Sequence, residues 1–140
     1  MDKGLSLLAL ARKGGIAELG EEPVGGAARA GKAYAILVAK DASDHTWRRA
    51  KSFAAGTEQQ CIRLPWTKDE LGAAIGRDSL AIAAVTDVRM ALAVVASLPQ
   101  EEANKPALEV LTAKAQKARK RQQEAKAHQR NLRRGKKHVK

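Results

Sequence analysis

In this 140-residue chain the groups that could do chemistry are one thiol, three imidazoles and a few carboxylates placed just after apolar segments. Cys61 is the only cysteine, so it forms no internal disulfide and builds no multi-cysteine metal site, which fits a reducing cytoplasm. A nucleophilic thiol needs a base or a cationic setting, and no His lies near Cys61 in the sequence; a buried structural thiol is the expected role. His45, His128 and His138 lack metal-ligand spacing, and the last two sit in a basic segment that repels cations. Asp41, Asp44 and Asp87 follow expected strands, where carboxylates can move protons, but each also precedes an expected helix, where Asp serves as a cap. Gly14, Gly15 and Gly20 match neither a dinucleotide fingerprint nor a P-loop. The sequence therefore assigns no catalytic residue, no metal and no cofactor.

The charge pattern is more specific. Residues 1–112 carry 14 Lys and Arg against 14 Asp and Glu, whereas residues 113–140 carry 12 against the single Glu124, which puts the whole net charge of +11 in the last fifth of the chain. Arg119, Lys120, Arg121, Arg130, Arg133, Arg134, Lys136 and Lys137 are the candidate phosphate contacts of this tail. The tail has no aliphatic stripe that would enter a membrane interface, so binding of a polyanion through its phosphates is the expected role. The alternative is a solubilising extension that binds polyanions only nonspecifically. Base stacking is a poor mechanism here, because Tyr34, Trp47, Phe53 and Trp66 are the only aromatic residues. No apolar run approaches the roughly 18 residues that span a bilayer. The run Leu5–Ala11 is short for a signal peptide and closes at Arg12-Lys13-Gly14-Gly15 as a helix does, so no signal peptide is expected.

The elements that must position these groups follow from periodicity. Leu5, Leu8, Ala9 and Arg12 share a helix face that ends at Gly14-Gly15. After the short apolar stretch Ile16–Leu19, Gly20-Glu21-Glu22-Pro23 opens a helix that ends near Gly31. Ala33–Ala39 reads as a strand covered on both faces. Asp41, Ser43 and Asp44 are cap candidates for a helix carrying Trp47, Ala50 and Ala54. Gln60–Leu64 is a strand, and Thr67 with Glu70 forms a capping box before Leu71, Ala74 and Ile75, with Gly76 as the stop. Leu80–Val85 is a further strand; Asp87 then caps a helix whose Ala91, Val94, Val95 and Leu98 repeat at helical spacing up to Pro99.

Strands alternating with helices predict a layered α/β domain over residues 1–99, with helices on both faces of about four strands. Residues 100–112 read as a connector, and residues 113–140 as a basic tail. From Ala113 onward Leu132 and Val139 are the only large aliphatic residues. The tail is therefore expected to be disordered or marginally helical until bound.

Gly31-Lys32-Ala33, Ile36–Ala42, the segment KDELGAAIG at 68–76 and Ala81–Asp87, in this order and spacing, resemble the ribosomal protein L-seven-Ae / L-thirty-e superfamily of kink-turn RNA binders, specifically its bacterial YlxQ-type members. The resemblance covers about residues 4–98 and excludes the tail. It implies a three-layer α/β/α sandwich on a mixed four-stranded sheet. It also implies RNA contacts at Gly20, Glu21, Glu22 and Gly26, which match the family's Gly-x-Asn-Glu-x-x-Lys stretch, and at Arg77 and Asp78 in a second loop. Within that stretch Glu22 replaces Asn, Pro23 replaces Glu and Gly26 replaces Lys. Glu18, Glu21 and Glu22 would bring like charges towards phosphate, so a standard kink-turn is expected to bind the body weakly. The expected function is a noncatalytic cytoplasmic RNA-binding protein acting on ribosomal or another structured RNA, with ribosomal or RNA-processing proteins as further partners and no membrane. The alternative is a protein-interaction module of the same fold that uses its acidic loop surface.

Overall fold

The computed structural model describes residues 2–99 and 101–138, with side chains given up to Arg133 apart from that of Glu101. The elements are α1 (Lys3–Lys13), β1 (Ala17–Leu19), α2 (Glu21–Arg29), β2 (Ala35–Val38), α3 (Asp44–Ala54), β3 (Gln60–Arg63), α4 (Lys68–Ile75), β4 (Ile82–Val85), α5 (Val88–Ala96) and α6 (Glu101–His138). The sheet order is β1-β4-β2-β3. β4 is antiparallel to both β1 and β2, while β2 and β3 run parallel, so the sheet is mixed.

The two central strands are buried on both faces, as their continuous apolar sequences require: β2 is Ala-Ile-Leu-Val and β4 is Ile-Ala-Ala-Val, with every residue buried. α2 and α3 pack against each other on one face, and α1, α4 and α5 pack together on the other. This is a three-layer α/β/α sandwich. On α1 the buried positions are Gly4, Leu5, Leu8 and Ala11; Arg12, expected on that face, is exposed, and Ala11 takes its place one residue earlier.

Local capping sets the boundaries. Ser43 accepts a hydrogen bond from the Thr46 amide and starts α3. Asp41 instead accepts from the Lys68 amide at 2.8 Å, tying the β2–α3 loop to the start of α4. The Thr67–Glu70 capping box is formed, and Asp87 accepts from the Met90 amide at the start of α5. Gly72 permits a close approach: a Cβ there would lie 2.7 Å from the Ser79 amide nitrogen and 2.8 Å from the Arg77 carbonyl oxygen. That contact presses the α4–β4 loop onto α4.

The largest departure from the sequence reading is α6. Residues 101–112, expected as a connector, are the first three turns of a helix that packs on α5 and buries Asn104, Ala107 and Leu111. Pro106 lies in the second turn without ending the helix. Leu108, Ala115 and Ala118 are also packed against the core, so the seam continues past Leu111 on small residues at helical spacing. From Arg119 to Arg133 every residue of α6 is exposed.

Candidate nucleic-acid interface

β1, β2 and β3 all finish at one end of the sheet, where β4 starts; this is the loop end. Gly20 sits there with φ of 96°, a conformation that favours glycine. Its amide donates to the Ile82 carbonyl, and its own carbonyl accepts from the Val24 amide as the first hydrogen bond of α2. The structure thus brings Gly20, Glu21 and Glu22 to the same end of the sheet as Arg77 and Asp78, which lie in the loop leading into β4. Glu22, Arg77 and Asp78 are exposed. Glu21 is engaged by α3: one carboxylate oxygen accepts from the Thr46 hydroxyl at 3.3 Å and the other faces the Arg49 guanidinium at 3.8 Å. Gly26 is exposed, with open space where a side chain would begin.

The tail candidates are at the other end. α6 begins beside Lys40, Leu64 and Pro65 at the loop end, passes Glu58 through a 3.1 Å ion pair with Lys114, and reaches Arg89, whose guanidinium donates to the Gln122 side chain. From Ala118 to His138 it extends about 30 Å at 1.5 Å per residue. Arg119, Lys120, Arg121, Arg130 and Arg133 are all exposed on this extension. Arg134, Lys136 and Lys137 belong to the α6 backbone, but their side chains lie outside the described residues. The two expected sets of RNA-facing residues are therefore at opposite ends of the sheet.

Helix periodicity divides the tail further. Arg119, Lys126, Arg130 and Arg133 recur at intervals of 7, 4 and 3 residues, which places them on one face. Lys126, Arg130 and Arg133 line a common surface recess with Gln129. Lys120 and Arg121 point elsewhere, and Lys120 borders a separate groove with Glu58 and Glu109. Lys126 escaped the sequence reading, which followed local density of charge; the heptad spacing from Arg119 was the signal that would have found it.

The body also carries an organised field that its zero net charge conceals. α1, α2 and α3 all start at the loop end and finish at the opposite end. Acidic residues cluster in first turns and basic residues in last turns, where they complement the helix dipole. Asp2 caps α1 and Arg12 and Lys13 close it; Glu21 and Glu22 open α2 and Arg29 closes it; Asp44 opens α3 and Lys51 lies in its last turn. Because these helices are aligned, their acids gather at the loop end with Asp41, Asp69 and Asp78. Their bases gather at the opposite end with Lys32 and Arg89. Lys3, Lys40, Arg63, Lys68 and Arg77 partly offset the acidic end, as Glu58 and Asp87 partly offset the basic one. Gln59 holds the α2–β2 turn in place: it accepts from the Ala33 amide at 2.8 Å and donates to the Ala28 carbonyl at 3.1 Å. α6 leaves the body at the basic end.

Cys61 lies on β3, half-buried, and burial pushes its thiol up to about 11 against the opposing pull of Lys51 and Arg63. Such a thiol stays protonated at neutral pH and is a poor nucleophile. His45 and His128 are exposed, and among the described residues no group of three or more His, Cys, Asp or Glu gathers as for a metal ion. None of the described helices is long and apolar enough to cross a membrane.

No protein-family model and no curated protein matches the chain. Among solved structures the chain is similar to a protein with unknown function from Bacillus halodurans C, at a TM-score of 0.65 and 26% identity, covering 69% of this chain and 97% of that one.

Proposed function

We propose that the protein is a noncatalytic cytoplasmic RNA-binding protein that grips ribosomal or another structured RNA by its phosphates, using the basic end of the body and the exposed face of α6. The observation that carries this reading is continuity. Arg12, Lys13, Arg29, Lys32 and Arg89 surround the end from which α6 projects, and Arg119, Lys126, Arg130 and Arg133 extend the same sign of charge along it. An α-helix bearing a row of cations can follow a phosphate backbone, whereas the deep major groove of A-form RNA denies side chains access to base edges. Phosphate contacts then provide affinity and orientation, with little sequence information. Within this reading the loop end, where Glu21, Glu22, Asp41, Asp44 and Asp78 collect, faces away from the phosphates.

The test is salt-dependent binding of a structured RNA by the full chain and by a variant with Arg119, Lys126, Arg130 and Arg133 changed to Gln. Substantial loss of affinity and of salt dependence supports the proposal. Unchanged affinity and salt dependence would overturn it. The acidic loop end is the specific observation that favours a second reading, a protein-interaction surface for a basic ribosomal or RNA-processing partner. That reading requires the partner to bind a chain truncated after Ala118 as tightly as the full chain.

A further inference from the structure

β3 is an edge strand, paired only with β2. The Gln60 amide donates to the Tyr34 carbonyl and the Leu64 amide to the Val38 carbonyl. Alternate residues of a parallel ladder bond inward, so the N–H and C=O of Cys61 and Arg63 face the free side. A groove of about 600 Å³ lies along that side, between Trp47 of α3 and the first turn of α6, where Ala103 and Asn104 wall it. Among the described residues its lining includes Lys40 and Arg63 and no carboxylate. The Arg63 guanidinium stacks over the Trp47 ring at 4.7 Å.

One residue in this wall is unsatisfied. Asn104 is only 7% exposed, and its side-chain nitrogen is buried without a hydrogen-bond partner. A buried amide donor left unpaired is costly, and rotation of the Asn104 side chain would present it to an acceptor oxygen in the groove that this residue helps to wall.

We propose that this groove is a docking site for an extended acidic peptide of a partner protein, which adds to β3 as a fifth strand. An extended chain presents alternating carbonyls and amides to Cys61 and Arg63, with a further carbonyl available to Asn104. Its acidic side chains meet Arg63 and Lys40, and the apolar ones that alternate with them turn to the opposite face, towards Ala103 in the first turn of α6. Nucleic acid is the poorer occupant, because the outward carbonyls of Cys61 and Arg63 repel phosphate. A second copy of the chain is poorer too, since edge-to-edge pairing sets Arg63 and Lys40 against the same cations. The proposal is independent of RNA binding at the basic end.

The probe is a blocked heptapeptide alternating Glu and Val, titrated into the isotope-labelled full chain. Saturable shifts confined to the Cys61 and Arg63 amides and the Asn104 side chain are expected, stronger at low salt. A Lys-Val peptide of the same length, and the Glu-Val peptide methylated on alternate backbone nitrogens, should not produce them. Asn104→Ala should raise the melting temperature of the free chain while weakening the peptide on the order of fivefold, the scale of one net hydrogen bond. A residue needed only for packing would lower the melting temperature instead. Arg63→Glu should reverse the preference towards the Lys-Val peptide. Equal binding of both peptides, indifference to backbone methylation, shifts at the loop end instead, dimerisation at β3, or a short RNA taking up the same amides would each overturn the proposal.

Discussion

Glu21 is held from two sides by Thr46 and Arg49 of α3, so its carboxylate is part of the structure of the loop end as well as of its charge. Glu22 and Gly26 are exposed and free of such ties, which makes them the positions where kink-turn contacts can be restored without disturbing the fold. Changing Glu22 to Asn and Gly26 to Lys should strengthen kink-turn binding about tenfold at moderate salt, since one repulsive charge leaves and one phosphate contact arrives. Titration of a kink-turn RNA against the chain truncated after Ala118 measures this, and tight binding before any substitution would contradict the assignment of the loop end. Cys61 gives a second residue-scale test. With its thiol raised to about 11, the folded chain at pH 8 should hold about a hundredfold less thiolate than the unfolded chain, two pKa units being a factor of that size. Alkylation should accordingly be much slower in native buffer than in denaturant and should rise with pH through the alkaline range; rapid native labelling at pH 8 would show that the thiol is activated.

At the scale of elements, α4 and α6 carry the contacts most sensitive to change. A Cβ on Gly72 meets the backbone of Arg77 and Ser79, which cannot swing aside as a side chain can. Gly72→Ala should therefore destabilise the fold by about 1–3 kcal/mol, the range of overpacking, despite improving helix propensity. Denaturant melts of the two chains decide it, and an increase in stability would mean that the α4–β4 loop yields easily. Leu111 is fully buried where a connector was expected. Leu111→Ala should cost about 2–5 kcal/mol. Truncation after Ala118 should leave the cooperative transition nearly unchanged, whereas truncation after Pro99 should lower it by exposing α5. Equal stability of the two truncations would show that α6 contributes nothing to the body.

For the molecule as a whole, the prediction concerns how binding free energy divides between the two ends. If about six basic side chains of α6 and the adjoining basic end of the body contact phosphate, counterion release gives a slope of log affinity against log salt near −5 on duplex RNA, or near −4 on single strands. Affinity should then fall by about two to three orders of magnitude between 50 and 200 mM salt. Changing Arg119, Lys126, Arg130 and Arg133 to Gln should remove most of that dependence and weaken different RNAs by similar factors. Adding Arg12, Lys13, Arg29 and Lys32 to the set should flatten the remainder, because those residues share the same end. A slope that stays at its full value after these substitutions and is flattened by changing Lys40, Lys68 and Arg77 to Gln instead would place the phosphates at the loop end.

Much of the fold is legible along the chain because its signals are local. The apolar runs of β2 and β4, the Thr67–Glu70 box and the Asp87 cap depend on residues a few positions apart, and the sequence by itself determined them. The density of basic residues after Ala113 is equally plain. Two features required the tertiary structure. The seam of α6 runs on Asn104, Ala107, Leu111, Ala115 and Ala118, a single leucine among alanines and one amide, which looks like no core until α5 is placed against it. The charge polarity of the body arises because α1, α2 and α3 run in the same direction, so that ordinary acids in first turns and bases in last turns add into a field. Summed along the chain those charges cancel; separated across the sheet they do not, and only the topology decides which end each one occupies.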